Sequence, residues 1–201
     1  NLGWNTGLFL ILGAQVVAIE TQMECLNVLN RKCVSNRSVS IEPFAVGSEV
    51  SEGHIWQSDV RNQLSSMSQE WISAVKKSGR FKYFEWSSRQ TVNVITLDHL
   101  IKKHGPPSFC KIDTEGYEFE VLKGLSYPLK AISFEYHAEF IGSAIACIDL
   151  LNNLGGYEFN RTVGEKPEFA HGSWLGPEAL SKAISSPDSR SLQGDIYARL
   201  R

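Results

Sequence analysis

Four side chains able to move protons or hold charge fall at the ends of two short apolar runs. Asp113 and Glu115 close "FCKID" and the turn after it, and His137 and Glu139 end or follow "AISFEYH". If both runs are neighbouring strands of one parallel sheet, all four groups crowd one rim, where ligands bind in open α/β sheets. There His137, with an unperturbed pKa near neutrality, is the best-matched general base for activating a hydroxyl. Asp113 and Glu115 are the alternative, as bases or as oxygen ligands for a hard cation such as Mg2+, although no sequence feature requires a metal. Each also has a structural reading: His137 as a hydrogen-bonded strand-end group, Glu115 as a carboxylate favouring the N-terminus of a helix that begins at Gly116. Asp113 faces the ligand from its strand tip under either reading. Glu135, inside the strand of His137, needs a basic partner if buried, and an ion pair is its expected role. His104, ahead of a Gly-Pro turn, reads as surface.

A second constellation opens the chain. "NLGWNTG" sets Gly3 and Gly7 around Asn5. A dinucleotide turn, G-x-G-x-x-G, uses its middle glycine to let the backbone approach a pyrophosphate. Asn5 stands at that middle position, which suits a ligand without phosphates whose amino-acid or nucleoside portion meets an amide side chain; S-adenosylmethionine is such a ligand. Glu20, ending "QVVAIE", is then placed to accept hydrogen bonds from both ribose hydroxyls, since a carboxylate offers acceptors only. A turn that merely packs helix against strand would use the same glycines.

The elements that must hold these groups alternate. "QVVAIE", "VSIEPFAV", "FCKID" and "AISFEYH" are short apolar runs of the kind buried in parallel sheets. Between them lie helical patterns: "TLDHLIKKHGPP", with Thr96 as N-cap and Gly105 and Pro106 as a stop, then "GYEFEVLKGL" and "FIGSAIACIDLLNNLGG", each closed by glycine. Alternation of this kind predicts a mostly parallel sheet covered on both faces. From about 48 to 91 the alternation breaks into an aromatic-rich insertion holding one helix near Gln69 to Lys77. It reads equally as a lid or as a second hydrophobic cluster sealing the sheet edge. Trp56, Trp71, Arg80 and Trp86 are its candidates for an acceptor pocket, with core packing the alternative for the tryptophans. The C-terminal "SSPDSRSLQGDIYARL" reads as a polar turn and a last strand, "DIYARL".

Composition narrows the partners. The 201 residues suit one domain, and a net charge of -2 without a basic run predicts neither nucleic acid nor an anionic membrane as partner. The longest apolar stretch, "LFLILGAQVVAI", falls short of the ~20 residues a membrane span needs, and no leader is visible. Cys25, Cys33, Cys110 and Cys147 lack C-x-x-C spacing and read as reduced core thiols of a cytoplasmic protein rather than a zinc set.

Taken together, "GWNTG", "VVAIETQ", "TLDHLI" and "KIDTEGYEFEVLKGL" resemble, in order and spacing, the FkbM family of S-adenosylmethionine-dependent methyltransferases. "SFEYHAE", "LGGYEFN" and "GDIYARL" extend the likeness nearly end to end. The resemblance implies one Rossmann-like class I methyltransferase domain over 1–201 with a truncated N-terminal strand, acting on a hydroxyl of a sugar or secondary metabolite. It implies that Gly3, Asn5 and Gly7 shape the cofactor turn, that Glu20 holds the ribose, that Ala45 in "EPFAVG" lies near the adenine, and that Asp113 borders the cofactor as well as the chemistry. The family has aspartate where this chain has Asn1, and a full strand before it. Only Leu8 to Ile11 separate Gly7 from "LGA", about one helical turn, so residues are expected to be missing there and upstream. The rivals are a nicotinamide-dependent oxidoreductase, disfavoured by Asn5, and a non-catalytic interaction module on the same fold. Oligomeric state is not legible.

Overall fold

The computed structural model describes residues 3–164, 166–186 and 193–201. The chain begins with α1 (Trp4–Ile11), β1 (Val16–Ile19), α2 (Met23–Cys33), β2 (Val39–Glu42) and β3 (Ala45–Val46). The insertion then supplies β4 (Ser51–Gln57), a 3-10 turn at Asn62–Leu64 and α3 (Gln69–Ser78), and it runs into β5 (Ser88–Ile95). The remainder alternates as α4 (Leu97–His104), β6 (Cys110–Ile112), α5 (Glu118–Lys123), β7 (Ala131–His137), α6 (Ile141–Leu154), β8 (Tyr157–Arg161), α7 (Pro177–Ser185) and β9 (Gln193–Leu200).

The helix signals operate as the local chemistry requires. Thr96 accepts the His99 amide at the start of α4, and Ser68 accepts the Trp71 amide at the start of α3. Each satisfies one of the orphan N–H groups of a first turn. Along α6 the buried side chains Ala144, Cys147, Ile148 and Leu151 recur at helical spacing and face the strands.

The expected continuous, mostly parallel sheet is instead a set of mixed sheets. β1 pairs parallel with β2, β5 lies between parallel β3 and antiparallel β4, and the third sheet has the order β6-β7-β9-β8. In that third sheet β6 and β7 are parallel, whereas β9 enters at the rim where β7 ends, Gln193 opposite His137, and so runs against both β7 and β8. "VSIEPFAV" divides between two sheets because Pro43, which has no N–H for a ladder, separates β2 from β3. The truncated first strand concerns positions before Gly3, and Asn1 and Leu2 lie outside the described residues, as does most of the polar turn before β9. Among the described residues β1 pairs with β2 alone, and Val17 and Ile19 are 38% and 40% exposed. No helix there is long and apolar enough to cross a membrane.

The opening turn also departs from expectation. Gly3 is the N-cap of α1, with φ of 83°, so Asn5 and Gly7 lie within an eight-residue helix rather than in a turn before a four-residue one.

The main core joins α4, α5, α6 and α7 to one face of the third sheet through Ile132, Phe134, Phe159 and Ile196. The other face carries a polar row. Strand register sets Lys111 beside Ser133, and Glu135 beside Asp195. The insertion makes its own cluster around Trp71, Val75 and Trp86, with Trp71 and Trp86 edge to face at 6.2 Å between centroids. Glu42, buried at the end of β2, receives Lys103 Nζ and His104 Nε2 at 2.7 Å each, so the exposed His104 also ties α4 to β2.

Trp71 is 0% exposed and Trp4 is 80% exposed. Trp71→Ala is expected to cost about 3–5 kcal/mol in denaturant unfolding, and Trp4→Ala less than about 0.5 kcal/mol. The Lys103 hydrogen bond, outweighing burial and joined by His104, holds the Glu42 carboxyl below its ordinary 4.5. A depressed carboxylate pKa stabilises the fold above the unfolded value and loses that contribution as pH falls through the folded one. The stability difference between wild type and Glu42→Gln should therefore be full at neutral pH and shrink below about pH 4.5 in urea titrations across pH.

Candidate active site

The turn that follows β6 is backbone-strained and tied down from several sides. Glu115 has φ of 53° and Gly116 of 87°, two successive left-handed residues; for a non-glycine residue this costs about 1–2 kcal/mol. Gly116 has no alternative, because a Cβ there would stand 2.3 Å from Trp71. Glu118 Oε1 accepts the Thr114 amide at 3.0 Å, the Thr114 hydroxyl at 3.1 Å and the Gly116 amide at 3.2 Å. From the insertion, the Ser66 hydroxyl donates to the Glu115 carbonyl at 2.6 Å. The carboxylate that secures the helix start is thus Glu118, not Glu115, and the Glu115 side chain is released toward β7. The signal was present in "TEGYE", a threonine and a glutamate one helical turn apart across a glycine.

At the end of β7 Glu115 meets Glu135 and His137. His137 Nε2 lies 3.4 Å from Glu115 Oε2 and 3.3 Å from Glu135 Oε2, and all three atoms are buried without a hydrogen bond. The ring sits edge-on to Trp71, 5.3 Å between centroids. Burial alone would lower the His137 pKa, but the two carboxylates outweigh it and lift it to about 10. Burial raises Glu135 to about 7 and pushes Glu115 up as well, against the pull of His137. His137 is accordingly not the imidazole of ordinary pKa that its position in the sequence suggests. On its other side Arg80 Nη1 stands 3.2 Å from Nδ1. With its pKa lifted, the ring carries a proton on Nε2, facing the two carboxylates. The three groups share protons as one unit.

Asp113 is reached through Lys111, whose ammonium lies 3.5 Å from Asp113 Oδ2 and pairs with Asp195 across the sheet. Burial would lower the Lys111 pKa, but Asp113 and Asp195 together raise it above the ordinary lysine value. Lys111 and Asp195 went unnoticed in the sequence because only strand register brings them together. Glu135 finds its basic neighbours in His137 and Lys111. Among the described residues, a grouping of three whose ligand atoms lie within 4.8 Å of one another is Glu115, Glu135 and His137.

Glu20 follows β1 and is buried, its Oε1 accepting the Gln22 amide at 2.8 Å. A Cβ on Gly3 would stand 3.0 Å from Leu29 of α2, whereas one on Gly7 meets nothing within 4 Å. Ala45 is packed in the core with Ile55, Val92 and Val94, so its side chain offers no open surface. The insertion proves to be a hydrophobic cluster that also clamps the rim. Trp71 and Trp86 are buried in it and Trp86 donates to the Leu64 carbonyl, so their faces are taken up by packing rather than by a pocket. Trp56 packs against the same cluster, and Arg80 is engaged with His137 and Glu139. An open cavity of about 320 Å³ lies instead beside Asp195, lined by Thr162, Lys166, Phe169 and Tyr197.

The fold has a counterpart among solved structures. The crystal structure of methyltransferase FkbM from Methylobacillus flagellatus KT superposes with a TM-score of 0.53 at 14% identity. That likeness, which speaks for the fold, covers 98% of this chain and 40% of the other, so the chain spans less than half of that protein's length. No curated protein matches. The family model of the methyltransferase FkbM domain matches residues 5–159, from within α1 through the strained turn and β7 into β8. The chain belongs to the FkbM methyltransferase domain family.

Proposed function

We propose that the chain transfers a methyl group from S-adenosylmethionine to a hydroxyl of a small acceptor, a sugar or a secondary metabolite. One observation carries this reading beyond the family's general activity: the turns after β1 and β6 are both hydrogen-bonded to a single short segment. Gln22 Nε2 donates to the Asn62 carbonyl at 3.0 Å, and the Ser66 hydroxyl donates to the Glu115 carbonyl at 2.6 Å. Four residues of extended chain reach ~14 Å at most, which supports reading Glu20 and the Asp113–Glu115 turn as parts of one site.

The residues fit the cofactor. A buried carboxylate oriented by a backbone amide suits a ribose diol, whose two O–H groups can donate to the acceptor-only Glu20. When bound, S-adenosylmethionine supplies a sulfonium methyl group: the acceptor oxygen bonds to that carbon while the carbon–sulfur bond breaks and leaves its electron pair on sulfur. Asp113, with its side chain 37% exposed, is the carboxylate open to an acceptor, and it takes the hydroxyl proton. Lys111 holds Asp113 in place, and through Asp195 it links that carboxylate to the wall of the 320 Å³ cavity. Phe169 and Tyr197, packed edge to face at 5.2 Å, line it beside the polar Thr162 and Asp195, a lining and size suited to a sugar. Free thiols at Cys25, Cys33, Cys110 and Cys147 are in keeping with a reducing, cytoplasmic setting.

Calorimetric titration tests the reading. S-adenosylmethionine and S-adenosylhomocysteine should bind and NAD should not; failure of both sulfur nucleosides to bind would overturn it. Glu20→Ala should weaken that binding by roughly 1.5–3 kcal/mol, the value of hydrogen bonds to a charged group. Asp113→Asn should leave cofactor affinity nearly unchanged and lower methyl transfer to a panel of hydroxyl acceptors about 10²–10⁴-fold. Equal turnover would remove Asp113 from the chemistry.

A further inference from the structure

We propose that Glu115, Glu135 and His137 form a binding site for one divalent first-row transition metal ion, with Zn2+ as its representative. Glu115 Oε2, Glu135 Oε2 and His137 Nε2 converge within 4.8 Å of one another. Each is buried and none makes a hydrogen bond. His137 itself is 4% exposed and aims Nε2 at the two carboxylates. The two carboxylates meet the single imidazole nitrogen at 3.3 and 3.4 Å, outside good hydrogen-bond geometry, and one ion at their common point would satisfy all three atoms.

The spacing suits a metal. Nitrogen and oxygen ligands stand ~2.0–2.2 Å from Zn2+, which sets neighbouring ligand atoms ~3.0–3.5 Å apart. The two distances from His137 Nε2 are 3.3 and 3.4 Å. An imidazole with two carboxylates is a nitrogen and oxygen set without thiolate, which suits Zn2+ or Mn2+ over soft ions. The ligands come from rigid supports. Glu135 and His137 share one face of β7, and Glu115 is fixed by the turn that Glu118, Ser66 and Trp71 hold. A cavity of about 10 Å³, the size of one water molecule, lies beside Glu135 and His137.

Metal binding displaces the proton from Nε2 and leaves the ring proton on Nδ1. Arg80 then gives up its contact with Nδ1 and keeps its pairing with Glu139. Arg80 therefore opposes loading as a positive charge beside the ring. Binding of the ion does not depend on methyl transfer. Its use as a Lewis acid toward an acceptor oxygen rests on the function proposed above.

The test uses the full chain, stripped with chelator and titrated with Zn2+ and Mn2+, with Mg2+ and Ca2+ as hard-ion controls and no cofactor or acceptor present. One equivalent of Zn2+ should bind, and Co2+ in its place should give visible bands of a nitrogen and oxygen site without intense thiolate charge transfer. Glu135→Gln and His137→Ala should each weaken Zn2+ at least tenfold with the circular dichroism spectrum unchanged, and Arg80→Ala should tighten it. No bound Zn2+ in wild type, a thiolate signature, or unchanged affinity in both ligand variants would each overturn the proposal. Because wild type alone decides the first two outcomes, a variant that fails to fold does not shield it. S-adenosylmethionine binding by the same variants, measured separately, keeps a failed metal site distinct from a failed methyltransferase assignment.

Discussion

The indole of Trp71 occupies the space a side chain on Gly116 would need, and the rim is organised around that contact. The left-handed pair Glu115–Gly116 is costly for an isolated chain. It persists because the surroundings leave no room for another path. Trp71 closes one side, Ser66 takes the carbonyl, and Glu118 gathers the free amides from below. The same indole lies edge-on to His137, so one buried aromatic sets both the turn and the imidazole it faces. Without the insertion the Asp-Thr-Glu-Gly turn would keep its residues and lose its shape.

Around this support the charges are arranged against solvent screening. The core-facing side of the third sheet is apolar, and its opposite side carries Lys111, Ser133, Glu135 and Asp195 in register. Carboxylates outnumber cations at the rim, and burial raises Glu115 and Glu135 toward neutrality while their charges hold protons on His137. Lys111 and Arg80 flank the group on two sides, each paired with a further carboxylate, Asp195 and Glu139. A buried charge set of this kind adds little to stability on its own account. It is instead the kind of perturbed cluster that marks a site of chemistry.

The insertion explains how turns from separate sheets come to act together. β1 and β6 belong to different sheets, yet the turns after them are both bonded to the stretch from Asn62 to Ser66. Gln90, at the start of β5, reaches the Thr21 carbonyl as well. Of the alternatives that composition allowed, the aromatic cluster matches the second hydrophobic cluster. It is a second core, and it lies over the rim, but its tryptophans serve packing rather than ligand contact.

Local signals decided what could be read before folding. Thr96, Ser68 and the glycines that stop the helices act within one turn of chain, so cap and boundary followed from residue type. The strand runs were legible for the same reason, and "KIDTEGYE" beside "TLDHLI" was specific enough to indicate the family. Partnerships were not legible. That Glu118 rather than Glu115 secures the turn, that β9 runs antiparallel between β7 and β8, that Pro43 passes the chain from one sheet to another, and that Lys111 joins Asp113 to Asp195 all depend on register or on long-range contact. Asn5 and Gly7 were misplaced because a glycine pattern marks a permissive backbone without saying which side of a helix start it falls on. The sequence by itself determined the elements and the family, since these rest on interactions a few residues long. The protonation of His137, the meeting of Glu115 with Glu135, and the loss of the tryptophan faces to packing were decided only by tertiary structure, because burial and the distance between charges exist only once the chain has closed on itself.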